Sequence, residues 1–162
     1  ESRGLGDVYK RQELCSNLIH RSLAEGEEYN HKGCLLFRKE EIVLANGMSL
    51  KYPNLRQQKD ERGRPQWVYG PDATKLYAGK VTNNVTQGTA RIVMTDGMLR
   101  ISKVYPVVGT VHDEALGLAP KEEASSALEW MLAQMTKEPK YMPGIPLAAD
   151  GGHHRRYGLA KN

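Results

Sequence analysis

Val107-Val108-Gly109-Thr110-Val111-His112-Asp113-Glu114-Ala115-Leu116-Gly117-Leu118-Ala119 is predicted to fold as a β-hairpin with charge at its tip. Val107 to Val111 is apolar and rich in β-branched residues, His112-Asp113 is a tight turn, and Glu114 to Ala119 alternates back. Two carboxylates at the end of an apolar hairpin are costly unless they are solvated or paired. An exposed turn accounts for them without any chemistry, since aspartate is common in turns. A second reading starts from Val107, Val108 and Val111, which are expected to be buried and so to hold the tip on a rigid element. Metal-assisted phosphoryl transfer needs carboxylates held in that way. Magnesium takes hard oxygen ligands, typically one or two carboxylates plus substrate phosphates. The His-Asp-Glu tripeptide alone leaves both readings open.

Upstream, Thr74 to about Ser102 contains no proline and carries a 3.6-residue period, which predicts a helix on the order of 40 Å long. Val81, Val85, Ile92 and Leu99 fall within one arc of it, and Lys80, Asn83, Gln87 and Arg91 within another on nearly the opposite side. Periodicity alone describes an ordinary amphipathic surface helix. The unusual feature is the pair of amides, Asn83 and Gln87, one turn apart. Every base pair shows acceptors in the minor groove, so neutral donors there test pair geometry without reading sequence. Lys80 and Arg91 are cations suited to phosphate contacts.

Downstream, Pro120 opens another helix, with Glu122 and Glu123 in the first turn, where a helix N-terminus favours anions. Its expected core stripe is Ala124, Leu128, Met131, Leu132 and Met135. Pro139, Pro143 and Pro146 mark a loop, and Leu147-Ala148-Ala149 a closing strand. Towards the N-terminus, Glu13 to about Lys32 is predicted helical, with Leu14, Leu18 and Leu23 on one side. Short apolar runs follow at Cys34 to Phe37 and Ile42 to Leu44. Asn46-Gly47 is a turn signal, and Ser49 to Pro53 is strand-like. Arg56 to Pro65 is a charged, solvated loop, and Gln66 to Tyr69 a return strand. The expected class is α+β, helices packed on an antiparallel sheet.

A chain of 162 residues fits one domain or a piece of a larger one. No apolar run is long enough to span a membrane. The net charge of +4 permits a polyanionic partner without demanding one. Cys15 and Cys34 suit two reduced thiols rather than a metal cluster or a disulfide framework. In His153-His154-Arg155-Arg156 adjacent histidines would point apart on a strand, which disfavours a shared metal. A solvated tail or a phosphate contact from Arg155 or Arg156 is compatible with this run. Residues 1–12 (ESRGLGDVYKRQ) have no apolar core and are not a secretory signal. Ser2 to Gln12 resembles the in-frame translation of a transposase-type sequencing adaptor, with Asp7 to Gln12 covering its mosaic end. On that reading the segment is not native, and the reading frame was cut before Glu13. The segment holds three cations against two carboxylates, so setting it aside lowers the net charge from +4 to +3.

Helix and hairpin, in this chain order, resemble the family A (DNA polymerase I-like) DNA polymerases. Asn83-Asn84-Val85-Thr86-Gln87-Gly88-Thr89-Ala90 is similar to the family's Asn-x-x-x-Gln-Gly-Thr-Ala helix, and Val111-His112-Asp113-Glu114 to its motif C. Gly47 to Leu55 resembles the hairpin before that helix, and Pro146-Leu147 the closing strand. Thr74 to Tyr77 and Arg156-Tyr157-Gly158 look most like phage members. The resemblance covers Glu13 to Asn162. It implies the C-terminal part of a palm domain: an antiparallel palm sheet whose motif C hairpin packs against long helices. It further implies template-directed DNA synthesis in phage replication, on primer-template DNA and dNTP, in the cytoplasm of a bacterial host. Asp113 would be one of two aspartates holding a catalytic Mg2+ pair, with Glu114 the neighbouring acid that supports the site. His112 would contact the primer terminus, and Gln87 and Asn83 would monitor the minor groove. The family's arginine one turn before the asparagine falls at Gly79, so Lys80 is out of register by one residue. The other aspartate, the fingers and any proofreading exonuclease would lie upstream in the same polypeptide. The chain by itself is therefore not expected to polymerise.

Other classes fit less well. A single-subunit RNA polymerase palm also carries a His-Asp hairpin, but typically a small residue where Glu114 stands. An HD-type phosphohydrolase places its pair on a helix among further ligands, and His20, His31, His153 and His154 show no matching spacing. A non-catalytic module that binds primer-template DNA is the remaining alternative.

Overall fold

The computed structural model describes residues 13–160. The predictions for residues 1–12 lie outside them. The class is α+β, with antiparallel sheets and helices. The chain divides into two compact units between Thr89 and Ala90.

Among the described residues of the first unit, helix α1 comes first, residues 13–18, and continues as a π-helix over Ile19–Ala24. The helix expected to reach Lys32 thus ends at Ala24. Gly26, at φ 90°, lies in the left-handed region where glycine is favoured, and β1 already begins at Tyr29. Strands β1 (Tyr29–His31), β2 (Leu35–Arg38), β3 (Glu41–Leu44) and β4 (Ser49–Lys51) form an antiparallel meander in chain order. Gly47 takes φ 84° after β3, and the Asn46 Oδ1 accepts from the Met48 N–H at 3.0 Å, as the Asn-Gly signal predicts. A separate sheet contains β5 (Arg56–Lys59), β6 (Pro65–Tyr69) and β7 (Thr74–Leu76). Two corrections follow. The charged loop from Arg56 to Pro65 shrinks to Asp60–Arg64, because Arg56 to Lys59 pair with β6 as a mostly exposed strand. Thr74 to Leu76 are a strand rather than the start of the long helix, since they pair with Tyr69, Val68 and Trp67. Leu18, Ile19, Leu23, Phe37, Ile42, Tyr52, Leu76 and Val81 form the core of this unit.

Helix α2 runs over Ala78–Ile101, 24 residues and roughly 36 Å. Two glycines set how closely it is approached. A Cβ at Gly88 would meet the Leu44 side chain at 2.9 Å and Leu50 at 3.6 Å, so the bare backbone there lets the helix lie against β3 and β4. A Cβ at Gly97 would meet the Met135 sulfur at 2.6 Å. Of the expected buried arc, Val81 and Ile92 are buried and Val85 half-buried, but Leu99 is 58% exposed. Met94 and Ile101 are buried instead.

In the second unit, strands β8 (Val107–Val111) and β9 (Glu114–Gly117) form an isolated two-stranded sheet. Among the described residues the expected single antiparallel sheet is therefore three separate ones. After a short 3-10 turn at Lys121–Glu123, helix α3 spans Ala124–Met135. Its expected stripe is half-buried, and Ala127 is its most buried residue. It joins the C-terminal half of α2 through the Arg100 guanidinium, which donates to the Gln134 carbonyl at 2.7 Å. The Tyr141 hydroxyl donates to Asp96 at 2.7 Å. Partial burial, and then the Asp96 carboxylate that the hydroxyl serves, push the Tyr141 ionisation well above the ordinary tyrosine range. No strand forms at Leu147 to Ala149, where two alanines carry little β-propensity. No described helix is long and apolar enough to cross a membrane.

Candidate active-site hairpin and helix face

The hairpin is closed at both ends. At its base the Leu118 N–H donates to the Pro106 carbonyl at 2.9 Å. At its tip Val111 pairs with Glu114 across the two-residue turn His112-Asp113. Such a turn demands left-handed backbone, and His112 supplies it at φ 52°, a conformation histidine adopts more readily than most residues. Both turn residues are exposed, while Glu114, the first residue of β9, is half-buried. Gly117 seats the hairpin on α3, where a Cβ would meet the Met131 side chain at 2.6 Å.

The valines do less than the sequence suggests. Val107 and Val111 are half-buried, and Val108 is 59% exposed. A register shift between Val107 and Gly109 takes Val108 out of the ladder. The tip is therefore anchored by the turn, the base bond and the Gly117 seat. A shallow groove lined by Val104, Tyr105, Pro106, Leu118, Ala119, Pro120 and Glu123 lies at the base of the hairpin, away from the carboxylates.

Asp113 is solvated at the tip, so its charge carries little burial cost. Glu114 accepts a hydrogen bond from the Tyr157 hydroxyl at 2.7 Å. Sequence reasoning singled out Arg156-Tyr157-Gly158 but gave it no link to the hairpin. No local pattern connects residues 43 positions apart. Among the described residues no group of three His, Cys, Asp or Glu side chains is placed to hold a metal ion.

On α2, Asn83, Gln87 and Arg91 are exposed at successive four-residue steps, as the periodicity predicts. The Gln87 Nε2 donates to the Asn83 Oδ1 at 3.4 Å, which consumes one N–H of the pair and leaves both side chains with further donors. The Arg91 Nη1 lies 3.7 Å from the Met94 sulfur. Lys80 departs from the exposed set. It is half-buried, with its Nζ 5.6 Å from the centre of the Tyr69 ring, a cation–π contact that turns it inward. Asn84, between the two exposed amides in sequence, points the other way. Its Nδ2 donates to the Tyr52 hydroxyl at 3.2 Å and ties the helix to the residue after β4. Burial raises the Tyr52 ionisation, and the Asn84 bond opposes that in part.

The chain is similar to the DNA polymerase of Bacillus phage SP02, 28% identical over 138 residues. That match covers 80% of this chain and 20% of the phage protein, so the chain spans about a fifth of the relative's length. No protein-family model matches the chain. No solved structure matches it.

Proposed function

We propose that this chain is the C-terminal part of the palm of a phage-type family A DNA polymerase, acting within a larger polypeptide on primer-template DNA and dNTP. The observation that carries the reading is the exposed His112-Asp113 turn with Glu114 bonded directly behind it. The exposed Asn83 and Gln87 amides and the likeness to a phage DNA polymerase support it.

In this reading each residue has a distinct task. Asp113 offers hard carboxylate oxygens at a solvent-facing tip, the donor type that magnesium prefers. These residues fit half of such a site, and the remaining ligands would come from substrate phosphates and from parts of the polypeptide beyond those described. When bound, magnesium would lower the cost of activating the primer 3′-hydroxyl and of releasing pyrophosphate. Glu114 supports the turn from the first position of β9. His112, one residue before Asp113, would contact the primer terminus. Asn83 and Gln87 would donate to minor-groove acceptors of the newly formed pair, and Arg91 would meet phosphate. Lys80 is the weakest of the candidates, because the Tyr69 ring already engages it.

The intact polypeptide is expected to extend a primer as the template dictates, with magnesium, whereas the 162-residue chain alone gives no extension. Primer-template binding without extension by the intact protein would instead favour a non-catalytic module, and transcript synthesis from ribonucleotides an RNA polymerase. Gln87→Ala in the intact enzyme should lower kcat/KM for nucleotide addition by about tenfold, the worth of one well-placed hydrogen bond. Because both groove acceptors occur at every base pair, the loss should be similar for all four templating bases. A loss confined to one base, or none, would remove the geometry-sensing role.

A further inference from the structure

We infer that Tyr157 is a positioning residue for Glu114, and that the C-terminal segment from Gly151 to Ala160 is a clasp built to deliver it. The inference rests on the polymerase reading of the hairpin. The Tyr157 hydroxyl meets the Glu114 Oε2 at 2.7 Å, a distance typical of a hydrogen bond to a charged oxygen.

Three features hold the tyrosine in place. First, the segment is tied to α3. Gly151 lies close enough to Leu128 and Leu132 that a Cβ would sit 3.2 Å and 3.6 Å from them, and the His153 Nε2 lies 3.2 Å from the Ser125 Oγ. Second, the segment crosses itself. A Cβ at Gly152 would collide with the Ala160 carbonyl oxygen, so only glycine lets the start of the segment pass its end. Third, the loop between is stiffened locally. The Arg156 N–H donates to the His154 Nδ1 at 3.2 Å, and the Leu159 and Ala160 N–H groups close a 3-10 turn onto the Arg156 and Tyr157 carbonyls, each at 3.0 Å. A merely solvated tail has no need of a glycine crossing or of a side chain aimed at a carboxylate.

Glu114 begins β9 immediately after the turn, so its orientation is coupled to that of Asp113 through one peptide unit. Removing the phenolic hydroxyl leaves the ring in place and withdraws a donor from the carboxylate. Partners that orient a site's carboxylates typically matter by about ten- to a hundredfold.

The test uses the intact polymerase. Tyr157→Phe should lower kcat for primer extension by about tenfold, with KM for nucleotide and the Kd for primer-template DNA unchanged. In a Glu114→Ala background the same substitution should cost nothing further, because the group it positions is gone. Gly152→Val should reproduce the Tyr157→Phe loss, by displacing the clasp rather than deleting the donor. Wild-type kcat in Tyr157→Phe, or a loss that persists in full on Glu114→Ala, overturns the positioning role alone. Absence of extension by the parent enzyme overturns the polymerase reading and this inference with it.

Discussion

Asp113→Asn in the intact polypeptide is expected to lower primer extension by about a hundredfold to a thousandfold and to leave primer-template binding unchanged. The substitution keeps the size of the side chain and removes its charge. Asp113 lies at an exposed turn, so no buried partner is orphaned and the fold should be indifferent to the change. Losing one preorganised electrostatic contact to a transition state typically costs that much, about 3–4 kcal/mol of barrier. DNA affinity depends mainly on cations and groove donors, which the substitution leaves alone. The measurement is single-turnover extension beside a binding titration. Extension within about tenfold of the parent would falsify the metal-ligand role.

Ile42→Ala carries the largest expected effect on stability. Ile42 is fully buried in β3, with Phe37 opposite it on β2 and Leu50 on β4. Truncating a buried isoleucine to alanine removes its transfer free energy and leaves a cavity, about 3 kcal/mol in a well-packed site. For a unit of this size that is a fall in melting temperature on the order of 15 °C. Val43, the next residue, points to the opposite face and is only half-buried, so Val43→Ala should cost well under half as much. Equal losses at the two positions would mean that the sheet is not packed on one face as described.

The hairpin from Val107 to Gly117 was legible because a β-branched apolar run, a tight turn and a returning alternation all point the same way. The exposed amides of α2 were legible for a similar reason, since a sustained 3.6-residue period puts Asn83 and Gln87 on one arc, although Leu99 and Lys80 depart from theirs. Other elements carried weaker or misleading signals. Arg56 to Lys59 look like a loop because an exposed strand needs no apolar alternation, and only pairing with β6 reveals it. Thr74 to Leu76 lack a breaker before the helix, so the proline-free run hid a strand. Lys80 falls on the exposed arc by angle, but an aromatic neighbour 11 residues earlier captures it. The Tyr157–Glu114 bond had no local trace, because it depends on a chain reversal through α3.

Gly88 bears on more than close packing. It sits beside Gln87, on the side of α2 that meets Leu44 and Leu50. With no side chain there, the helix backbone comes close to the Leu44 and Leu50 side chains. In this packing Asn83 and Gln87 look outward while Asn84 reaches Tyr52. Residue 88 is thus the point where this half of the helix depends on having no side chain. A larger side chain at this point would swing the amide pair around the axis, and its first symptom would be a changed outer face rather than a melted helix.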